Sequence, residues 1–75
     1  MENNDKDKLS YLTDDQKVYL RLVRKSMPLH QDDMVKTLVY LQRHPNVIKP
    51  FESSAANRLT AAEKNQVLCE LLLQF

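Results

Sequence analysis

The stretch Thr13–Pro28, TDDQKVYLRLVRKSMP, decides the fold because it carries the start, face and stop signals of one amphipathic helix. Gln16 follows Thr13 at the spacing of a capping box, in which each side chain bonds the main chain of the other residue. Asp14 and Asp15 lie in the first turn, and Arg24 and Lys25 lie in the last, as the helix dipole favours. Pro28 prevents the helix from continuing. The stretch therefore predicts a helix over about residues 13–27.

Apolar residues recur along this stretch at helical spacing and predict one buried face. At about 100° per residue that face, with Leu22 at its edge, consists of Tyr19, Leu20, Val23 and Met27. The opposite face is basic. A helix with a single apolar face is covered by other elements, so partner helices are expected elsewhere in the chain.

The second helix is predicted over about residues 31–44, where acidic residues lead and basic residues close the segment. Its expected inner face is Met34, Val35, Leu38, Leu41 and Gln42. Pro45 stops the helix, and Asn46 is expected to take the left-handed conformation that glycine would otherwise supply.

The last helix is predicted over about residues 60–74, because TAAE at 60–63 forms a second capping box. Its expected inner face is Leu68, Leu71, Leu72 and Phe75, with Val67 and Leu73 at the margins or outside. A short helix near 53–59, capped by Ser53 or Ser54, precedes it. The fold class is therefore all-α: a small bundle of three main helices and a short one.

We assign residues 1–10 to a flexible N-terminal tail and residues 11–75 to a single helical domain. The apolar pattern runs to the end, so either the C-terminus docks into the core or the chain is a fragment of a longer protein. We favour the fragment.

Hydrophobic residues make up 43% and charged residues 28%, which is typical of a soluble domain. The single cysteine and the lack of a signal-peptide pattern predict an intracellular protein, in nucleus or cytoplasm.

Enzymatic activity is not predicted. The 75 residues contain no glycine where about five are expected, which excludes glycine-rich phosphate loops and the nucleophile elbow. Cys69 lies among leucines and is predicted to be a buried apolar residue, while His30 and His44 suit helix ends. Their spacing offers no metal site, and no cofactor is predicted.

Protein binding is the predicted function, in the form of an adaptor that takes a peptide or helix in a groove between its helices. One predicted contact patch consists of Thr37, Tyr40 and His44, because an aromatic flanked by polar groups is a typical anchor. The second consists of Leu73 and Phe75 at the C-terminal end.

Two alternatives remain open. A small nucleic-acid regulator would use the basic side of the first helix, formed by Lys17, Arg21, Arg24 and Lys25. A homodimer would form through the leucine-rich last helix. No apolar run reaches the roughly 20 residues of a membrane span, so membrane partners are not predicted.

The segment Leu38-x-x-Leu41-x-x-x-Pro45-x-Val47, followed by Phe51, resembles the second-helix exit of TFIIS N-terminal and LEDGF integrase-binding-type helical domains. The resemblance covers about residues 18–59. It implies an adaptor that binds short disordered motifs of transcription regulators. The chain departs from the family in having no glycine for the turn that usually follows the short helix.

A second resemblance runs from Phe51 to Leu59, as Phe51-x-Ser53-x-Ala55-x-x-Arg58-Leu59. It is similar to the small Hha-type bacterial nucleoid modulators. The capping residue Thr60 departs from that family, because it begins a new helix where the family has one long helix.

Overall fold

The computed structural model describes residues 11–74 and confirms the all-α fold. Four α-helices are present in this range and no strand is. They are α1 (Asp14–Ser26), α2 (Met34–Arg43), α3 (Pro50–Arg58) and α4 (Ala61–Leu72). Short 3-10 turns, Met27–His30 and Pro45–Val47, follow α1 and α2. The predicted tail, residues 1–10, and Phe75 lie outside the described residues.

Both predicted capping boxes are present. The Thr13 hydroxyl accepts a hydrogen bond from Gln16 N at 3.1 Å, and Gln16 Oε1 accepts one from Thr13 N at 2.9 Å. Thr60 and Glu63 make the same exchange at 3.1 and 2.8 Å. Each box satisfies two polar main-chain groups that the first helical turn leaves unpaired, so these helix starts could be read from the sequence.

The start of α3 was predicted wrongly, because neither Ser53 nor Ser54 caps it. Lys49 precedes the helix, and its N–H donates to Glu52 Oε1 at 2.9 Å. Pro50 occupies the first helical position, where a missing N–H costs nothing because that group has no partner within the helix.

The left-handed residues also differ from the prediction. Asn46 lies inside the 3-10 turn after α2, where Val47 N donates to His44 O at 3.1 Å. The positive φ angles of the described residues fall instead on Gln31, at 54°, and Asp32, at 60°. The turn between α1 and α2 thus places two side-chain-bearing residues where glycine is preferred.

The first helix is central, and both α3 and α4 pack along it. The second helix packs mainly on the 3-10 turn that follows α1. The core cluster of buried apolar residues joins α1 to α2 and α4 and consists of Leu12, Leu20, Leu22, Val23, Met27, Leu41, Val67 and Leu71. The predicted apolar face of α1 is therefore inside, with Leu22 buried and Tyr19 only partly covered.

The predicted faces of α2 and α4 are each rotated from the observed ones. Val35 and Gln42 point outward on α2, whereas Thr37 is fully buried. The Thr37 hydroxyl donates to Asp33 O at 2.8 Å, so its burial leaves no unpaired donor. The tight placement of Thr37 beside Leu41 turns the valine side of the helix to solvent.

On α4 the buried residues are Val67 and Leu71, both with no exposed surface. Leu72 is 54% exposed, and Cys69 is exposed rather than buried as predicted. The sequence offers two apolar stripes on this helix, and the contact with α1 selects the one that contains Val67.

Candidate interaction surfaces

The outward side of α2 carries an exposed pair of apolar residues. Val35 is 71% and Val39 is 40% exposed, and they lie one helical turn apart. Lys36 and Arg43 are also exposed, and α2 contains no acidic residue. We call Val35, Lys36, Val39 and Arg43 the α2 face. It combines an apolar contact area with positive charge at its margin.

The predicted patch of Thr37, Tyr40 and His44 does not form a surface as expected. Thr37 is in the interior, which is a correction to that prediction. Tyr40 is half-buried and packs against the core, while His44 is exposed. This side of α2 therefore presents His44 with only part of the Tyr40 ring.

The Tyr40 ring lies between two histidines. Its centroid is 4.4 Å from that of His44, with the rings inclined by 23°, and 4.6 Å from that of His30, with the rings inclined by 47°. His44 Nδ1 lies 3.0 Å from the Tyr40 carbonyl oxygen, at the C-terminal end of α2. His30 Nε2 is buried and has no hydrogen-bond partner among the described residues. The stack joins the 3-10 turn that follows α1 to the C-terminal end of α2.

The outward side of α4 is apolar or polar but uncharged. Its exposed residues are Ala61, Ala62, Asn65, Gln66, Cys69 and Leu72. Leu73, just beyond the helix, is 80% exposed, so the predicted contact residue is available at the surface. Phe75, predicted beside it, lies outside the described residues. Sequence reasoning missed Leu72 as a surface residue because it assigned that side to the core.

The outward side of α1 is basic. The exposed residues of α1 are Asp14 at its start and then Arg21, Arg24 and Lys25. Lys17 is partly buried. Lys25 Nζ lies 2.5 Å from Glu52 Oε2, so this base is engaged within the bundle. Arg21 and Arg24 form no ion pair with another residue of the described range.

Two ion pairs bind α3 to α1, and both change the acidity of their carboxyl groups. Arg58 Nε donates to Asp15 Oδ2 at 2.9 Å, which lowers the pKa of Asp15. Burial acts to raise the pKa of Glu52, but the ammonium of Lys25 and the main-chain N–H of Lys49 outweigh burial and hold that pKa below its usual value. Sequence reasoning missed both pairs.

A third carboxylate contact lies at the edge of α4. The Tyr11 hydroxyl donates a hydrogen bond to Glu70. Because that bond stabilises the neutral phenol beside a carboxylate, the pKa of Tyr11 rises to about 12.

Between Tyr11 and Gln74, no three side chains of His, Cys, Asp or Glu converge in a way that could hold a metal ion. Within the same range, no helix combines the length and apolar character needed to cross a bilayer. Comparisons with protein-family models, curated proteins and solved structures gave no significant match.

Proposed function

We propose that this chain is a non-enzymatic adaptor that binds an amphipathic helix or short peptide of a partner protein on its α2 face. The observation that carries the proposal is the exposure of Val35 and Val39 as an apolar pair on one side of a helix. Exposed apolar residues framed by charge are typical of protein-binding surfaces.

The charges on the α2 face define the partner's chemistry. Lys36 and Arg43 both lie along one side of the valine pair, and α2 itself contains no acidic residue; Asp32 and Asp33 are exposed just before the helix begins. A partner helix with apolar residues at i and i+4 and acidic residues beside them would cover the valines and meet both bases. The positive margin of the α2 face would repel a basic helix that has the same apolar pattern.

The resemblance to TFIIS N-terminal-type domains supports the same role. The α2 face falls within residues 18–59, the range of that resemblance. Domains of that type bind disordered motifs of transcription regulators, which extends the proposal to a regulatory assembly inside the cell, in nucleus or cytoplasm.

A titration with two designed helical peptides tests the proposal. Both peptides carry leucine at i and i+4, and they differ only in having glutamate or lysine at the flanking positions. We expect the acidic peptide to bind at least tenfold more tightly than the basic one in fluorescence anisotropy. The double variant V35D/V39D should no longer bind the acidic peptide. Equal binding of both peptides, or unchanged binding by the variant, would reject the α2 face.

The matched control is Leu73→Asp. Leu73 is as exposed as Val35, but it follows α4, which packs on α1. The control places an aspartate on a different surface, so peptide binding should remain unchanged.

A second candidate function is nucleic-acid binding through Arg21 and Arg24, supported by their exposure without an ion pair in the described range. About three phosphate contacts, with Lys17 included, predict a log–log salt slope of about −3 on duplex DNA. The variant R21E/R24E should abolish this binding. A salt slope and an affinity that the variant leaves unchanged would exclude this candidate.

A further inference from the structure

The outward side of α4 has a composition that its surface position does not explain. Charged residues make up 28% of the chain, yet the exposed positions of α4 carry none. The charged residues of this helix, Glu63, Lys64 and Glu70, are all partly covered at its flanks. Depletion of charge is a feature of the central parts of protein interfaces.

The residues along the middle of this side have the spacing of a helix–helix seam. Ala62, Asn65, Cys69 and Leu72 are separated by three, four and three residues. At about 100° per residue they fall within an arc of about 80°. This is the arrangement through which two helices pack side by side along their length. We call these four residues the α4 seam.

We propose that the α4 seam packs against the α4 seam of a second copy of this chain, with the two helices antiparallel. A two-fold interface brings a surface against itself, so any net charge on that surface would be repelled. The α4 seam carries no charge and avoids this cost. The outward side of α1, which is basic, would repel its own copy.

Side-chain size selects the antiparallel direction. Centred on Val67, an antiparallel pairing places Ala62 of each copy opposite Leu72 of the other, and Asn65 opposite Cys69. The large leucine then fills the space left by the small alanine at each end. A parallel pairing would place leucine against leucine and alanine against alanine, which crowds one end and leaves a gap at the other.

The length of α4 sets the strength of the association. Twelve residues extend about 18 Å, and one such helix pair buries less than the roughly 1,200 Å² at the lower end of standard interfaces. We therefore expect a weak dimer, with a dissociation constant between roughly 10 µM and 1 mM. The α2 face lies on a different helix, so this proposal does not depend on the adaptor function.

Disulfide trapping between two different chains tests both the pairing and its direction. Wild-type protein, with its single Cys69, is mixed with the double variant N65C/C69S and oxidised with diamide, which accepts the two electrons and two protons released by the thiols. In the antiparallel pairing the introduced thiol lies opposite Cys69 of the other chain. A mixed disulfide should therefore form in preference to either homodimer.

The distance between the two Cys69 residues distinguishes an antiparallel pairing from a parallel one. In the antiparallel pairing the two native Cys69 residues are offset by four residues, about 6 Å along the helices, in addition to the helix separation. That places their Cα atoms beyond the roughly 7 Å limit for a disulfide. Rapid crosslinking of wild-type protein alone would show a parallel pairing and overturn the proposal. Absence of every crosslink would overturn it as well.

Sedimentation equilibrium provides a readout that needs no cysteine. The apparent mass of the wild type should rise from 8.8 kDa toward twice that value between about 10 µM and 1 mM. Leu72→Asp places a charge in the α4 seam at an already exposed position and should keep the protein monomeric, whereas Val35→Asp should leave the dimer unchanged. A wild type that is monomeric at 1 mM, or a Leu72→Asp variant that still dimerises, would contradict the proposal.

Discussion

Gln16 donates a hydrogen bond from Nε2 to the main-chain carbonyl of Glu63 at 3.1 Å, so the first turns of α1 and α4 are held together. The same nitrogen reaches Gln66 Oε1 at 3.0 Å, while Gln16 Oε1 completes the capping box of α1. A buried amide with these three bonds fixes how α4 is rotated on α1. That rotation decides which side of α4 faces solvent.

Replacing Gln16 should therefore be costly. We expect Gln16→Ala to lower the free energy of unfolding by about 2–3 kcal/mol, because it removes one half of the capping box and both hydrogen bonds from Gln16 Nε2 to α4. Gln66→Ala removes one bond at an exposed position and should cost about 0.5–1 kcal/mol. Urea denaturation of both variants measures the difference. Equal and small costs would show that the Gln16 amide does not hold α4.

A glycine at position 31 should stabilise the turn after α1. Gln31 has φ of 54°, where a side chain costs about 1–2 kcal/mol and glycine costs little. Glycine also raises the conformational entropy of the unfolded chain, which offsets part of this gain. The net effect of Gln31→Gly should be a rise in the free energy of unfolding of about 0.5–1 kcal/mol. Thermal unfolding gives the comparison, with Arg21→Gly in the middle of α1 as the control. The control should destabilise by about 1 kcal/mol, and destabilisation by Gln31→Gly would contradict the turn geometry.

Replacing Lys25 should destabilise the protein more than replacing Glu52. Glu52 is only 4% exposed, whereas the Lys25 side chain is 53% exposed. Lys25→Met leaves a carboxylate buried without its cation and should cost about 2–3 kcal/mol. Glu52→Gln leaves a lysine that water can solvate and should cost about 1–2 kcal/mol. Chemical denaturation at pH 7 should therefore rank Lys25→Met as the more damaging, and the reverse order would contradict the burial of Glu52.

The same carboxyl group should contribute to acid sensitivity. Because folding lowers the pKa of Glu52, its ionised form stabilises the protein above the ordinary glutamate pKa. That contribution is lost as the pH falls through the lowered value. Stability measured between pH 7 and pH 3 should therefore decline less steeply in Glu52→Gln than in the wild type. Parallel curves for the two proteins would show that the pair does not lower this pKa.

The sequence contained enough information for the helix starts but not for the exposed surfaces. Thr13 and Thr60 begin helices through contacts with residues three positions away, and such local signals are visible in a sequence. On α4, Val67–Leu71 and Leu68–Leu72 are equally apolar pairs, so periodicity alone could not choose the buried one. The choice depends on Gln16, which is 47 residues away from Glu63.

The central claim is that the α2 face binds an acidic amphipathic helix, and NMR chemical-shift mapping tests it most directly. The acidic peptide described above is titrated into isotopically labelled protein. We predict that the largest shifts fall on Val35, Lys36, Val39 and Arg43, with α4 unchanged at the same protein concentration. Shifts centred on α4 or on the basic side of α1, with the α2 face unaffected, would contradict the claim.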